Sequence, residues 1–144
     1  MKHLFFAVTI LLVSANTFAQ KFAPEQIIGV WKSEDYKIEF FKDGDSYAAK
    51  LLWSKDMFEA DGKTSKKDDN NPDESLRDRP RQGITHITGL VYDDGEYLNG
   101  KLYSVQDGNT YGFKAELNEV DKLETRGYKG VAMLGKTVHW TRVP

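Results

Sequence analysis

Few residues in this sequence are of a type that performs catalysis. There is no cysteine, which excludes thiolate nucleophiles and cysteine zinc sites. Beyond residue 19 the histidines are His86 and His139, and both fall within strand patterns. His86 shares a strand face with Ile84 and Leu90, which predicts a packed or hydrogen-bonded side chain. We therefore expect no catalytic residues and no enzyme activity.

A metal site is also poorly supported by the sequence. Asp69-x-Asn71-x-Asp73 has the oxygen spacing that begins a calcium loop. The sixth position is Glu74 where the turn needs glycine, and the twelfth is Pro80 where a bidentate glutamate is needed. We expect no metal ion and no cofactor.

These residues lie in a long polar segment of 27 residues, Lys55 to Arg81, which has few apolar residues, and Leu76 is predicted to be an apolar anchor in polar surroundings. A connection of this length is usually functional or disordered. One hypothesis is that residues 71–81 form an ordered lid over a ligand site, with Arg77 reaching inward to bind an anionic group or pair with a carboxylate. The alternative is that Arg77 caps carbonyl groups of the segment itself.

The amino terminus has the pattern of an export signal. A short basic start precedes an apolar run from Leu4 to Val13, and Thr17-Phe18-Ala19 matches a signal-peptidase site. The apolar run is shorter than the ~20 residues that span a bilayer. We predict a cleaved signal peptide at residues 1–19 and a periplasmic or secreted protein. No cysteine follows the run, so a lipoprotein anchor is excluded.

Residues 20–144 are predicted to form a single domain with no transmembrane segment. This length suits one hydrophobic core. Lys2 is the only charged residue before position 20, so cleavage changes the formal net charge from −2 to −3. Charges of both signs are mixed along the chain without a basic stripe, which argues against nucleic acid as a partner.

The predicted domain is all-β, with a short helical turn at Pro24 to Ile28 before the first strand. Apolar residues then recur with period two, and Asp-Gly turns separate the segments. The predicted strands cover about residues 29–33, 37–40, 47–53, 84–92, 97–105, 110–117, 122–128 and 136–143. About eight strands with tight turns predict a small antiparallel up-and-down β-barrel, with an open sandwich as the alternative.

Two motifs at opposite ends of the domain favour closure of the barrel. Gly29-Val30-Trp31 begins the first strand, and Trp140-Thr141-Arg142 lies in the last. This pair resembles the lipocalin superfamily, in which such motifs meet at the closed bottom of the barrel. The resemblance implies that Gly29, Trp31, Trp140 and Arg142 have structural roles, with the Arg142 guanidinium covering the Trp31 indole.

A more specific resemblance extends over residues 29–142, to the exported bacterial proteins classed as domain of unknown function 2147. The chain departs from that family at Val105 or Glu74, where proline is usual, and at His139, where glutamine is more common. The resemblance implies a barrel fold and an envelope location, and it implies no activity. The stretches that carry it are residues 29–31, 71–77, 100–103, 106–111, 126–128 and 140–142.

Two functions of different class fit this sequence. The first is binding of a small apolar or amphipathic molecule in the barrel, with Arg77 and the inward residues as ligand contacts. The second is a protein-interaction module of the envelope with a filled barrel, which contacts a partner through residues 55–81 or exposed aromatics such as Phe41 and Tyr97. An empty barrel interior would favour the first function over the second. The inward ligand contacts predicted from strand alternation are Tyr47, Leu51, Trp53, Tyr111 and Phe113.

Overall fold

The computed structural model describes residues 21–130 and 135–144, and the predicted signal peptide lies outside them. Eight strands form a closed barrel in chain order, each antiparallel to its neighbours, which confirms the predicted fold. Within the described ranges, no helix has the length and apolar character needed to span a membrane. The strands are β1 Gly29–Lys32, β2 Tyr36–Asp43, β3 Ser46–Ser54, β4 Thr85–Asp93, β5 Glu96–Tyr103, β6 Thr110–Glu119, β7 Lys122–Tyr128 and β8 Lys136–Arg142.

The up-and-down order gives the barrel two different ends. Three two-residue turns, after β2, β4 and β6, lie at one end, which we call the closed end. A 3-10 helix, Pro24–Ile27, precedes β1 at this end. The longer connections after β1, β3 and β5 lie at the other end, which we call the open end. Among the described residues, the large loops are therefore confined to the open end.

The closed end is sealed where β1 pairs with β8. Trp31 lies opposite Arg142 in this pairing, and the guanidinium carbon is 4.2 Å from the centroid of the indole ring. Arg142 also donates hydrogen bonds to the carbonyls of Val120 (3.0 Å), Ile28 (2.9 Å) and Gln26. A planar cation with several donors can stack on the ring and satisfy these carbonyls together.

Aromatic side chains fill the interior behind this seal. Tyr97 is 1% exposed, packs edge-on against Tyr47 at 5.6 Å, and donates a hydrogen bond to the Pro24 carbonyl. The prediction that Tyr97 is an exposed contact residue is wrong. An irregularity in the β5–β6 pairing between Tyr97 and Gly100, where Asn99 has φ 62°, changes which side chains face inward.

A second irregularity, in β3, changes the face of its last residues. Ile38 pairs with Leu51, whereas the preceding Lys37 pairs with Trp53, so β3 has one extra residue at this point. Leu51 is buried, but the Trp53 side chain faces outward and is 38% exposed. The expectation that Trp53 shares the inward face of Tyr47 is therefore wrong, because a bulge reverses the alternation.

The connection after β3, which contains the long polar segment, has defined local structure. Met57 is fully buried and anchors it to the core, whereas the predicted anchor Leu76 is 37% exposed. The segment contains one short 3-10 helix, Glu74–Leu76. Two isolated antiparallel bridges join Phe58 to Ser65 and Lys67 to Pro80. The segment is therefore an ordered loop, and we call residues 55–81 the mouth loop because it lies at the open end.

Candidate functional site

The open half of the barrel contains a cavity of about 170 Å³. Its walls are mainly apolar, and all strands except β1 contribute to them. Two polar side chains, His86 of β4 and Thr125 of β7, lie among these apolar walls. The apolar lining residues are Leu51, Ile87, Leu102, Val105, Phe113, Val138 and Trp140.

The size of the inward side chains explains why only one half of the barrel is filled. Trp31, Phe40, Tyr47 and Tyr97 are among the largest fully buried side chains, and they occupy the closed half. Phe113 and Trp140 also line the cavity, but several of its other lining positions carry small residues: Ser54, Ser104, Thr125, Gly127 and Val138. A barrel of eight strands leaves an open space wherever its inward residues are small.

A polar recess adjoins the cavity at the open end. It has a volume of about 320 Å³ and shares four residues with the cavity lining. Carboxylate, ammonium, hydroxyl and amide groups surround it, so it favours polar or charged ligand atoms, whereas the cavity below favours apolar ones. The residues of the recess are Asp35, Tyr36, Ser54, Lys55, Asp56 and Gln106.

His86 is the most deeply buried titratable side chain of the cavity wall. It is 8% exposed, and its Nδ1 lies 3.2 Å from the Ala49 carbonyl oxygen. Burial lowers the pKa of the imidazole from 6.5 to about 4, although the bond to Ala49 acts in the opposite direction. The ring is therefore neutral near pH 7.

Thr125 and Trp140 form a second polar contact in the wall. The Trp140 Nε1 donates a hydrogen bond of 2.8 Å to the Thr125 hydroxyl oxygen. Both side chains are buried, and both line the cavity. Trp140 was expected to have a structural role at the barrel closure, and the structure places its ring in the cavity wall.

A buried carboxylate joins the mouth loop to the cavity wall. Asp68 has no exposed surface and accepts hydrogen bonds from Tyr103 Oη (2.6 Å), Asn71 Nδ2 (2.8 Å) and Arg79 Nε (2.9 Å). Tyr103 lines the cavity, and burial together with the bond to Asp68 raises its pKa to about 12. Three donors, one of which is the Arg79 cation, compensate for burying the charge.

The mouth loop also contacts the turn between β5 and β6. Asn70 Nδ2 donates a hydrogen bond of 2.8 Å to the Gln106 carbonyl. Gly108 has φ +73°, and a Cβ atom on it would lie 2.0 Å from the Asn70 carbonyl oxygen. Glycine is therefore required at this position both for its conformation and for the close approach of the loop.

Some of the predicted ligand residues line the cavity, and others lie elsewhere in the structure. Leu51 and Phe113 line the cavity. Tyr47 lies among the aromatic residues of the closed half, and Trp53 faces outward. Tyr111 is only partly buried, and its hydroxyl donates a hydrogen bond to the Asp107 carboxylate instead of lining the cavity.

Arg77 is directed towards its own loop. Its Nε donates a hydrogen bond of 2.7 Å to the Asn71 carbonyl, and Nη1 lies 3.7 Å from a Glu74 carboxylate oxygen. The side chain is 44% exposed and does not line the cavity. This geometry matches the alternative stated for Arg77, a cap on the loop's own carbonyls. Arg81, at the end of the same loop, lines the cavity instead.

Several residues of the site were missed by sequence reasoning. Asp68 is adjacent to the oxygen-bearing residues that were considered as calcium ligands, Asp69, Asn71 and Asp73, but its burial has no sequence signal. The side chain of Asn71, one of those residues, contacts Asp68. Among residues 21–130 and 135–144, no group of three or more His, Asp or Glu side chains could hold a metal ion. The position of His86 on a buried strand face was the one available signal.

Comparison with known proteins agrees with this architecture. A search of curated proteins gave no match. The structure is similar to protein HP1028 of Helicobacter pylori, described as belonging to the lipocalin family, with a TM-score of 0.71 and 27% identity over 82% of this chain and 83% of that one. The family of uncharacterized proteins conserved in bacteria, DUF2147, matches residues 29–142. The chain therefore belongs to the DUF2147 family and has a lipocalin-like barrel.

Proposed function

We propose that this protein binds a small apolar or amphipathic molecule in the cavity at the open half of its barrel and acts without catalysis. The observation that carries the proposal is the unfilled apolar cavity beneath a polar recess. Such an arrangement suits a ligand whose apolar part enters the barrel while its polar part stays at the mouth. The similarity to a lipocalin-family protein also supports a ligand-binding function.

The size of the cavity limits the buried part of the ligand. An engineered apolar cavity of roughly 150 Å³ binds benzene, and the cavity described above measures about 170 Å³. A single six-membered ring or a short alkyl chain therefore fits inside, and a larger ligand must extend into the recess.

The unfilled space favours a ligand role over a filled interaction module. Protein interiors are normally close-packed, but the open half of this barrel keeps a space of about 170 Å³. Larger residues at positions such as Gly127 or Val138 would fill part of it. A binding function accounts for their small size.

The proposal is tested by titrating the ¹⁵N-labelled protein with toluene and following the backbone amides of the cavity strands. We expect saturable shifts at Ile87 and Phe113, which line the cavity. Val138→Phe places a ring in the cavity and should abolish these shifts. Val91→Phe is the matched control, because Val91 is 45% exposed on the outer surface. Failure of both toluene and its hydroxylated counterpart phenol to produce saturable shifts in the wild type would refute the proposal.

Native mass spectrometry of the purified protein, followed by extraction, would identify a natural ligand that remains bound.

We also propose that the protein is exported, on the strength of the apolar run and cleavage pattern in residues 1–19. Processing after Ala19 would give a protein that begins at Gln20, which mass measurement of the native protein detects. A full-length mass and a cytoplasmic location would contradict the export proposal.

A further inference from the structure

His86 is the one imidazole in the cavity wall, and its hydrogen bonding fixes which nitrogen carries the proton. The Ala49 carbonyl oxygen, 3.2 Å from Nδ1, can only accept a hydrogen bond. Nδ1 must therefore be the protonated nitrogen of the neutral ring. Because the pKa is lowered to about 4, the ring carries no second proton near neutral pH. Nε2 is left with a free lone pair, which makes it a hydrogen-bond acceptor.

This acceptor has no partner among the described residues. In the same part of the chain, every fully enclosed side-chain nitrogen or oxygen has a hydrogen-bond partner. Nε2 of His86 must therefore retain contact with open space, although the residue is only 8% exposed. His86 lines the cavity, and we infer that the cavity is the open space that Nε2 faces.

The other polar groups deep in the cavity are already engaged. The Thr125 hydroxyl oxygen accepts from Trp140 Nε1, and the Tyr103 hydroxyl donates to the Asp68 carboxylate. Other side chains of the lining that can accept a hydrogen bond, such as Ser54 and Asp56, also line the polar recess. An apolar ligand that fills the cavity would shield Nε2 from water and leave this acceptor without a partner, which is unfavourable by an amount comparable to a hydrogen bond. A ligand that supplies a donor would remove this penalty.

We propose that Nε2 of His86 accepts a hydrogen bond from a hydroxyl or N–H group of the bound ligand, so that the cavity selects small neutral molecules that carry such a donor on an apolar ring or chain. This inference rests on the proposed binding function and adds the chemical class of the ligand. The selectivity arises because a donor buried in an apolar cavity without an acceptor loses its hydrogen bond to water.

Phenol and toluene are suitable probes because they have nearly the same shape and differ in the donor. Their dissociation constants are measured by the same amide titration, with Ile87 and Phe113 as reporters. In the wild type we expect phenol to bind at least as tightly as toluene, although its hydroxyl is better hydrated in free solution. Tighter binding of toluene than of phenol would overturn the assignment of His86.

Three variants attribute the preference to one atom. His86→Phe keeps a ring and removes the acceptor, and it should weaken phenol relative to toluene by about tenfold or more. His86→Gln retains a carbonyl acceptor and should preserve part of the preference. His139→Phe is the matched control, because the His139 side chain is 74% exposed, and it should leave the ratio unchanged.

The outcomes separate this inference from the binding function. If both probes bind and His86→Phe leaves their ratio unchanged, the cavity binds ligands but the role of His86 is refuted. If neither probe binds the wild type, the proposed function and the inference both fail. A ratio that falls in His86→Phe and not in His139→Phe supports both. Should the Phe variant fail to fold, the wild-type comparison and His86→Gln still decide the question.

Discussion

The buried imidazole of His86 should make the stability of this protein depend on pH between 7 and 5. Its pKa is about 4 in the folded state against 6.5 for an unburied histidine. As the pH falls through 6.5, the unfolded chain takes up a proton at this residue while the folded chain does not. Protonation therefore favours unfolding, and the contribution of His86 to stability declines as the pH falls from 6.5 towards 4.

The expected magnitude follows from the two pKa values. Between pH 7 and pH 5 the unfolded imidazole becomes almost fully protonated and the folded one hardly at all, which amounts to a loss of about 2 kcal/mol. Because the residue is 8% exposed, little of this effect is screened by solvent. Other groups also titrate in this range, so the wild-type loss by itself does not identify His86.

The substitution His86→Gln isolates the effect. Glutamine can still donate to the Ala49 carbonyl but does not titrate, so the variant should lose about 2 kcal/mol less than the wild type between pH 7 and pH 5. The assay is urea unfolding followed by tryptophan fluorescence at both pH values. His139→Gln is the control, because this side chain is 74% exposed, and it should retain the wild-type pH dependence. Parallel losses in the wild type and His86→Gln would refute the reasoning.

Three further predictions concern stability and the mouth loop. Arg142→Lys keeps the charge but removes the planar fork over the indole, and it should lower the free energy of unfolding by about 2 kcal/mol in urea titrations. Asp68→Asn should make residues 55–81 more sensitive to limited proteolysis, whereas Asp78→Asn, with a side chain 94% exposed, should not. Gly108→Ala should destabilise by about 3 kcal/mol, and Gly44→Ala, which has space for a Cβ atom, by only about 1 kcal/mol.

Each of these predictions has an outcome that contradicts it. An unchanged unfolding free energy in Arg142→Lys would mean that a lysine seals the closed end equally well. Equal proteolysis of the two aspartate variants would show that the buried carboxylate does not fix the loop. Equal destabilisation by the two glycine substitutions would show that backbone conformation alone matters at Gly108, and that the contact with Asn70 does not.

The strand order of the barrel could be predicted because its causes are local. Asp-Gly turns and period-two alternation mark hairpins within the chain, and the predicted strand at residues 122–128 has the same bounds as β7. The stacking of Arg142 on Trp31 was also foreseen from two short motifs, which meet when the last strand pairs with the first.

The inward residues of the site could be predicted only where alternation was uninterrupted. Leu51 and Phe113 were placed correctly at the cavity. Trp53 was assigned to the wrong face because a β-bulge adds one residue to β3 and reverses the sides beyond it. The position of a bulge depends on pairing with the neighbouring strand, and the alternating pattern of β3 alone does not contain it.

The sequence by itself determined the class of fold, the likeness to a known family and the small set of residues capable of chemistry, since these depend on residue types and short-range spacing. Only the tertiary structure decided that the barrel is filled at one end and open at the other, that Asp68 lies buried between the mouth loop and Tyr103, and that His86 lies in the cavity wall with Nδ1 against the Ala49 carbonyl. These features arise from side chains far apart in the chain, and their contacts exist only after the barrel has closed.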